Sequence, residues 1–183
     1  MFDLFKAKAE AVSAEVHRFP DKAQAMAFIK ETLAKEGVAD APGKYAVWVD
    51  SPFLAGHDKD AMAKEIPGLT FGVTRDRAEQ AHIGITQMHW GIANTGTLVQ
   101  DSTAAAERLA SMLPFIHLAI VGTEAIVADM PTLLETVHPK DSAYIALISG
   151  PSRTADIERV LTIGVHGPER LIVVCVDDLG GTN

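Results

Sequence analysis

Short, strongly apolar runs that alternate with segments of helical spacing constrain this chain more than any other feature. KYAVWVD (44–50), GLTFGVT (68–74), FIHLAIVG (115–122), YIALISG (144–150) and RLIVVCVDD (170–178) are the apolar runs. Between them lie segments such as AAERLASMLP and EAIVADMPTLLETVH, whose apolar positions recur at helical spacing. Strands buried on both faces read as continuous apolar runs, and intervening helices supply the crossovers of a parallel sheet. The expected fold class is therefore α/β, with a mainly parallel sheet covered on both faces. TADIERVLTIG (154–164) reads as a further helix, and GIANTGTLVQDS (91–102) as two short strands around a turn.

The N-terminal part has a different pattern. Phe2, Phe5, Ala9, Val12 and Val16 follow helical spacing, which predicts one amphipathic helix over 2–17 that Pro20 ends. A second helix is predicted from Asp21 as N-cap, through Ala25, Phe28, Ile29 and Leu33, to Gly37 as the residue after its end. Eight of nine lysines precede residue 65, whereas six of seven arginines follow it. Lysine on exposed helices is ordinary solvation, and arginine is favoured where a planar fork must grip an anion. The change from helical spacing to apolar runs divides the chain into a helical lead-in, 1–40, and an α/β domain, 41–183.

Composition excludes several function classes. The 183 residues carry a formal net charge of -8, so the average surface repels nucleic-acid phosphates and anionic lipid headgroups. No apolar stretch is long enough to span a bilayer, and the N-terminus lacks the apolar centre of a secretory signal, so a cytoplasmic protein is expected. The lone Cys175 sits in an apolar run, where a buried, inert thiol is expected; it cannot form an internal disulfide or a cysteine-based cluster. The seven histidines form no HxH or HExxH pattern, and no metal or cofactor is expected. His117, inside FIHLAIVG, reads as a core histidine with a satisfied ring.

Three segments could carry chemistry. In YIALISGPSRTADIE an apolar strand runs into Ser149-Gly150-Pro151-Ser152-Arg153-Thr154 and then into the expected helix. Gly150 allows a tight turn, Ser152 or Thr154 can cap the helix, and its N–H groups with Arg153 would make a small anion site. A plain cap whose Arg153 pairs with Asp156 or Glu158 accounts for the same residues. The segment has neither a GxxxxGK[ST] nor a GxGxxG pattern. Asn94-Thr95-Gly96-Thr97 presents hydroxyls and N–H groups at a turn, which a simple hairpin also explains. His166, between Gly164 and Gly167-Pro168, is a loop histidine, a residue type suited to proton transfer.

In this order the strings IANTGTLV, LPFIHLAIV, ISGPSRTADIE and GVHGPERLIVV resemble the LUD-domain family of lactate utilization proteins. The family usually has an acid before its TGT, where this chain has Asn94, which argues against a general base at that position. The resemblance implies a Rossmann-like fold similar to the glucosamine-phosphate deaminase, ribose-phosphate isomerase and CoA-transferase group. It also implies a place in a bacterial system that oxidises lactate to pyruvate, alongside iron–sulfur partner subunits. On that reading the chain is a non-redox subunit that binds a small anionic metabolite at Asn94–Thr97, Ser149, Gly150, Ser152, Arg153, Thr154, His166 and Gly167. The alternative is a stand-alone isomerase or acyl/CoA-transferase-like enzyme, with His166, Asp156 and Glu124 as acid–base or nucleophile candidates.

Overall fold

Helix α1 (Phe2–Ala11) ends well before the position its spacing predicts. Ser13 takes a φ of 71°, and the chain turns directly into strand β1 (Ala14–Phe19). Ala14 and Val16 are buried while Glu15 is exposed, so a period of two replaces the helical period there. What decides it is a partner: β1 lies parallel to β12 (Arg170–Val176), with Ala14 opposite Leu171 and Phe19 opposite Val176. The lead-in expected to be helical thus supplies a strand of the main sheet. This computed structural model describes residues 1–138, 140–155, 161–163 and 166–179.

The next helix forms as its residues dictate. Asp21 caps α2 (Lys22–Lys35) by accepting the Gln24 N–H at 2.8 Å, and Gly37, with φ of 71°, closes its end. Beyond it come β2 (Tyr45–Trp48), α3 (Lys59–Glu65), β3 (Leu69–Thr70), α4 (Arg75–Glu79) and β4 (Ala81–Gln87). β5 (Trp90–Ile92) and β6 (Thr97–Asp101) form the expected hairpin. α5 (Ala105–Met112) follows, then β7 (Ile116–Gly122). The segment expected as one helix over 124–138 divides into a short turn, β8 (Ile126–Val127) and α6 (Met130–Thr136). Asp129 caps α6 by accepting the Thr132 N–H, which starts that helix late.

The main sheet has the order β1-β12-β7-β4-β2-β3, and every pair in it is parallel. One face packs on α2 and α3 through Ile29, Leu33, Met62, Trp48, Ile83 and Leu118. The other is covered by α1 and the second sheet (Phe5, Met88, Leu98, Val121, Val173) and by α4 and α5 (Ala78 and Ala110 against Val47). Burial on both faces explains the unbroken apolar runs of β7 and β12. Cys175 is fully buried, which pushes its thiol up to about 12.

The second sheet, β8-β5-β6-β9, brings two corrections. YIALISG forms β9 (Ile145–Ile148), which pairs antiparallel with β6 at a sheet edge and leaves Leu147 52% exposed. It is not a buried strand of the parallel sheet. Nor does a helix follow the SGPSRT turn over the described residues. β10 (Arg153–Ala155) and β11 (Leu161–Ile163) pair antiparallel, with Thr154 opposite Thr162.

Candidate functional site

Pairing of β6 with β9 puts Leu98 opposite Ile148, so Thr97 and Ser149 become neighbours. Their hydroxyl oxygens are 2.7 Å apart, and Thr97 Oγ1 donates to Thr95 Oγ1 at 2.8 Å. The two motifs therefore meet, as the resemblance implies. They meet at the antiparallel β6–β9 pair of the mixed second sheet.

One side of this junction grips the α1–β1 connection. Gly96 and Gly150 have φ of +67° and +72°, and a Cβ on either would lie 2.2 Å from backbone, Ala9 N and Val12 O respectively. Only glycine permits both that dihedral and that approach. Arg153 Nη2 donates to Val12 O and to Ser13 Oγ, both at 2.9 Å. Arg153 thus faces the N-terminal turn, and the strand it begins supplies no helix N-terminus for an anion. Arg153→Ala should cost about 1 kcal/mol, the net worth of such exposed hydrogen bonds. Urea denaturation of parent and variant measures it, and unchanged responses to small anions would separate Arg153 from any ligand.

On the other side lies a cavity of about 380 Å³. Its wall includes Ser149, Gly150, Ser152, His166 and Gly167 from the predicted set. Ser152 N–H donates to Pro168 O at 2.8 Å and joins the two loops. α5 adds Arg108 and Ser111, one helical turn apart. Arg108 Nη1 donates to Ser102 O and to Thr103 O, and the guanidinium lies 5.2 Å from the centre of the Tyr144 ring. His117 also reaches the wall. Burial lowers its pKa to about 4, and its Nε2 sits 2.8 Å from Thr86 Oγ1, so it is the neutral core histidine expected. The described residues of this wall include a guanidinium and two histidines and no Asp or Glu. Such a lining favours an anion.

The remaining predicted residues lie apart from this wall. Asn94 and Thr95 are exposed in the β5–β6 turn, and Thr97 lies beneath it. Glu124 is exposed in the turn after β7 and does not line the cavity that His166 lines. Thr154 belongs to β10, and Asp156 lies outside the described residues. Motif reading missed Arg108, Ser111 and Tyr144. The enrichment of arginine after residue 65 is the signal that points to Arg108. Among the described residues, no group of three or more His, Cys, Asp or Glu could hold a metal ion, and no helix is long and apolar enough to cross a membrane.

A Rossmann-like parallel sheet, a small second sheet and a cavity between their connections define the fold as α/β. The family model of the LUD domain matches residues 2–176, and the chain belongs to that family. It is 37% identical over 166 residues to lactate utilization protein C of Geobacillus sp. (strain WCH70), covering 82% of this chain and 69% of that protein. It is 38% identical over 109 residues to lactate utilization protein C of Halalkalibacterium halodurans, covering 56% of this chain and 47% of that one. The chain thus spans about half the length of some of the curated relatives it matches. The crystal structure of a DUF162 family protein from Deinococcus radiodurans superposes with a TM-score of 0.65 at 21% identity, covering 96% of this chain and 95% of that one.

Proposed function

We propose that this chain acts in bacterial lactate utilization as a non-redox component that binds a small anionic metabolite in the cavity beside Ser149–Ser152. The carrying observation is the charge of the wall: Arg108 projects from α5 among Ser111, Ser149, Ser152 and His166, and no described acid opposes it. A carboxylate such as that of lactate or pyruvate matches the arginine fork and the surrounding hydroxyls. The names of the relatives agree with the pathway. Docking on iron–sulfur partner proteins in the cytoplasm is part of this reading. Met112, Tyr144 and Leu147, each about half exposed on the wall, supply apolar surface for such a contact. The isomerase or acyl/CoA-transferase-like reading has less support, because Glu124 and His166 do not share a wall.

Calorimetric titration with lactate, pyruvate and phosphate tests the proposal. Arg108→Ala should weaken the anion that binds by roughly tenfold to a hundredfold, the worth of a charge-assisted contact. Arg108→Lys should recover only part of this, because a lysine keeps the charge without the fork. Equal affinities in all three proteins, or a parent that takes up none of the anions, would reject the site.

A further inference from the structure

The connections of the main sheet diverge between β2 and β4. From β2 the chain crosses to β3, its outer neighbour, whereas from β4 it proceeds to β7 on the opposite side. The covering helices follow suit: Met62 of α3 packs on one face of the sheet and Ala110 of α5 on the other. Where crossovers part in this way, a crevice opens outside the carboxyl ends of the two strands, and open α/β sheets bind ligands there.

A cavity of about 200 Å³ occupies that place. Asp50 and Ser51 reach it from the end of β2, Gln87 and His89 from the end of β4, Gln100 from β6 and Glu107 from α5. Gln87 Oε1 accepts the Phe53 N–H at 2.8 Å, and Gln100 Nε2 donates to Gln87 O at 3.2 Å. Asp50 pairs with Lys59 at 2.8 Å. Ser51 Oγ and Glu107 Oε2 differ from these groups. Both are shut off from solvent, and neither has a hydrogen-bond partner among the described residues. Buried polar atoms in native proteins are nearly always bonded, so each one without a partner needs an explanation.

The chemistry of the wall narrows the occupant. It carries two carboxylates and no lysine or arginine, the reverse of the cavity beside Ser149. His89 Nδ1 accepts the Asp101 N–H at 3.2 Å, so the proton of the neutral ring is on Nε2. A serine–histidine–carboxylate relay needs that nitrogen as an acceptor, which excludes the relay in this arrangement. We propose that the crevice is a second ligand site, specific for a small ammonium compound that places its N–H groups on Glu107 and a hydroxyl on Ser51. Lys59 already matches Asp50, so the uncompensated charge is that of Glu107, which has no ion pair among the described residues and favours an ammonium. The small volume limits the ligand to a few heavy atoms.

Titration of the ¹⁵N-labelled full chain with ethanolamine, followed by amide NMR shifts, tests this. Saturable shifts should centre on residues 49–51, 87–89 and 107, and propan-1-ol and lactate should leave those amides in place. Glu107→Gln, which keeps the shape and removes the charge, should weaken ethanolamine by about tenfold or more. Ser51→Ala should weaken it less and leaves the carboxylate intact. No saturable shift at these amides up to about 100 mM ethanolamine would overturn the proposal. So would an undiminished affinity in Glu107→Gln, or propan-1-ol or lactate binding the crevice as tightly. None of these outcomes bears on Arg108 and the other cavity.

Discussion

Gly150→Ala should destabilise the protein by about 3 kcal/mol or more, whereas Gly37→Ala should cost only about 1 kcal/mol. The two glycines share a backbone conformation, with φ of +72° and +71°. Each therefore imposes the same left-handed strain on an L side chain. Their surroundings differ. A Cβ at Gly37 meets nothing within 4 Å, whereas one at Gly150 would sit 2.2 Å from Val12 O. Val12 is held there by its own contacts: its N–H bonds Ala9 O, and its carbonyl accepts from Arg153. Relief requires the α1–β1 connection to move away from the Ser149–Ser152 turn, which would also reshape the cavity wall. Midpoints of urea unfolding for the two variants give the difference directly. Equal losses would show that the approach at Gly150 relaxes freely.

The second large effect is a loss of stability in mild acid traced to His117. Its folded-state pKa of about 4 lies below the ordinary histidine value near 6.5, because desolvation disfavours the charged ring. Between those values the unfolded chain binds the proton and the folded one does not, so stability rises with pH in this window. The contribution is complete above about pH 6.5 and is lost progressively down to about pH 4, by roughly 3 kcal/mol. Burial also lowers His17 and His89, which act in the same direction over a smaller range. A non-titrating side chain at the same place separates the sources. Unfolding midpoints of the parent should fall steeply from pH 7 to pH 4.5, and those of His117→Gln should fall much less. Parallel curves would assign the acid loss to other groups.

Local patterning carried much of the fold. β7 and β12 are buried on both faces, and that requirement is written into FIHLAIVG and RLIVVCVDD as unbroken apolar residues. α2 has its cap and its stop within its own sequence, at Asp21 and Gly37. The TGT and SGPSRT strings marked out a real junction and the LUD resemblance, because turn glycines and short hydroxyl residues are locally distinctive.

Other features had no local signature. Val12 and Val16 fit a helical period as well as an extended one, and only the edge of β12 turns residues 14–19 into a strand. YIALISG has the composition of a parallel-sheet strand, yet β6 captures it at the margin of the second sheet, where one side stays open. Arg108 and Ser111 look like ordinary polar positions on α5, and they become part of a cavity wall only because β9 and the His166 loop complete it. The crevice between β2 and β4 depends on which way each crossover runs, a choice made among strands far apart in the chain. Periodicity, caps and turn residues act over a few neighbours, so the chain itself settles the elements and their type. Register, sheet membership and the walls of both cavities come from contacts between distant segments, and those are decided only when the segments pack.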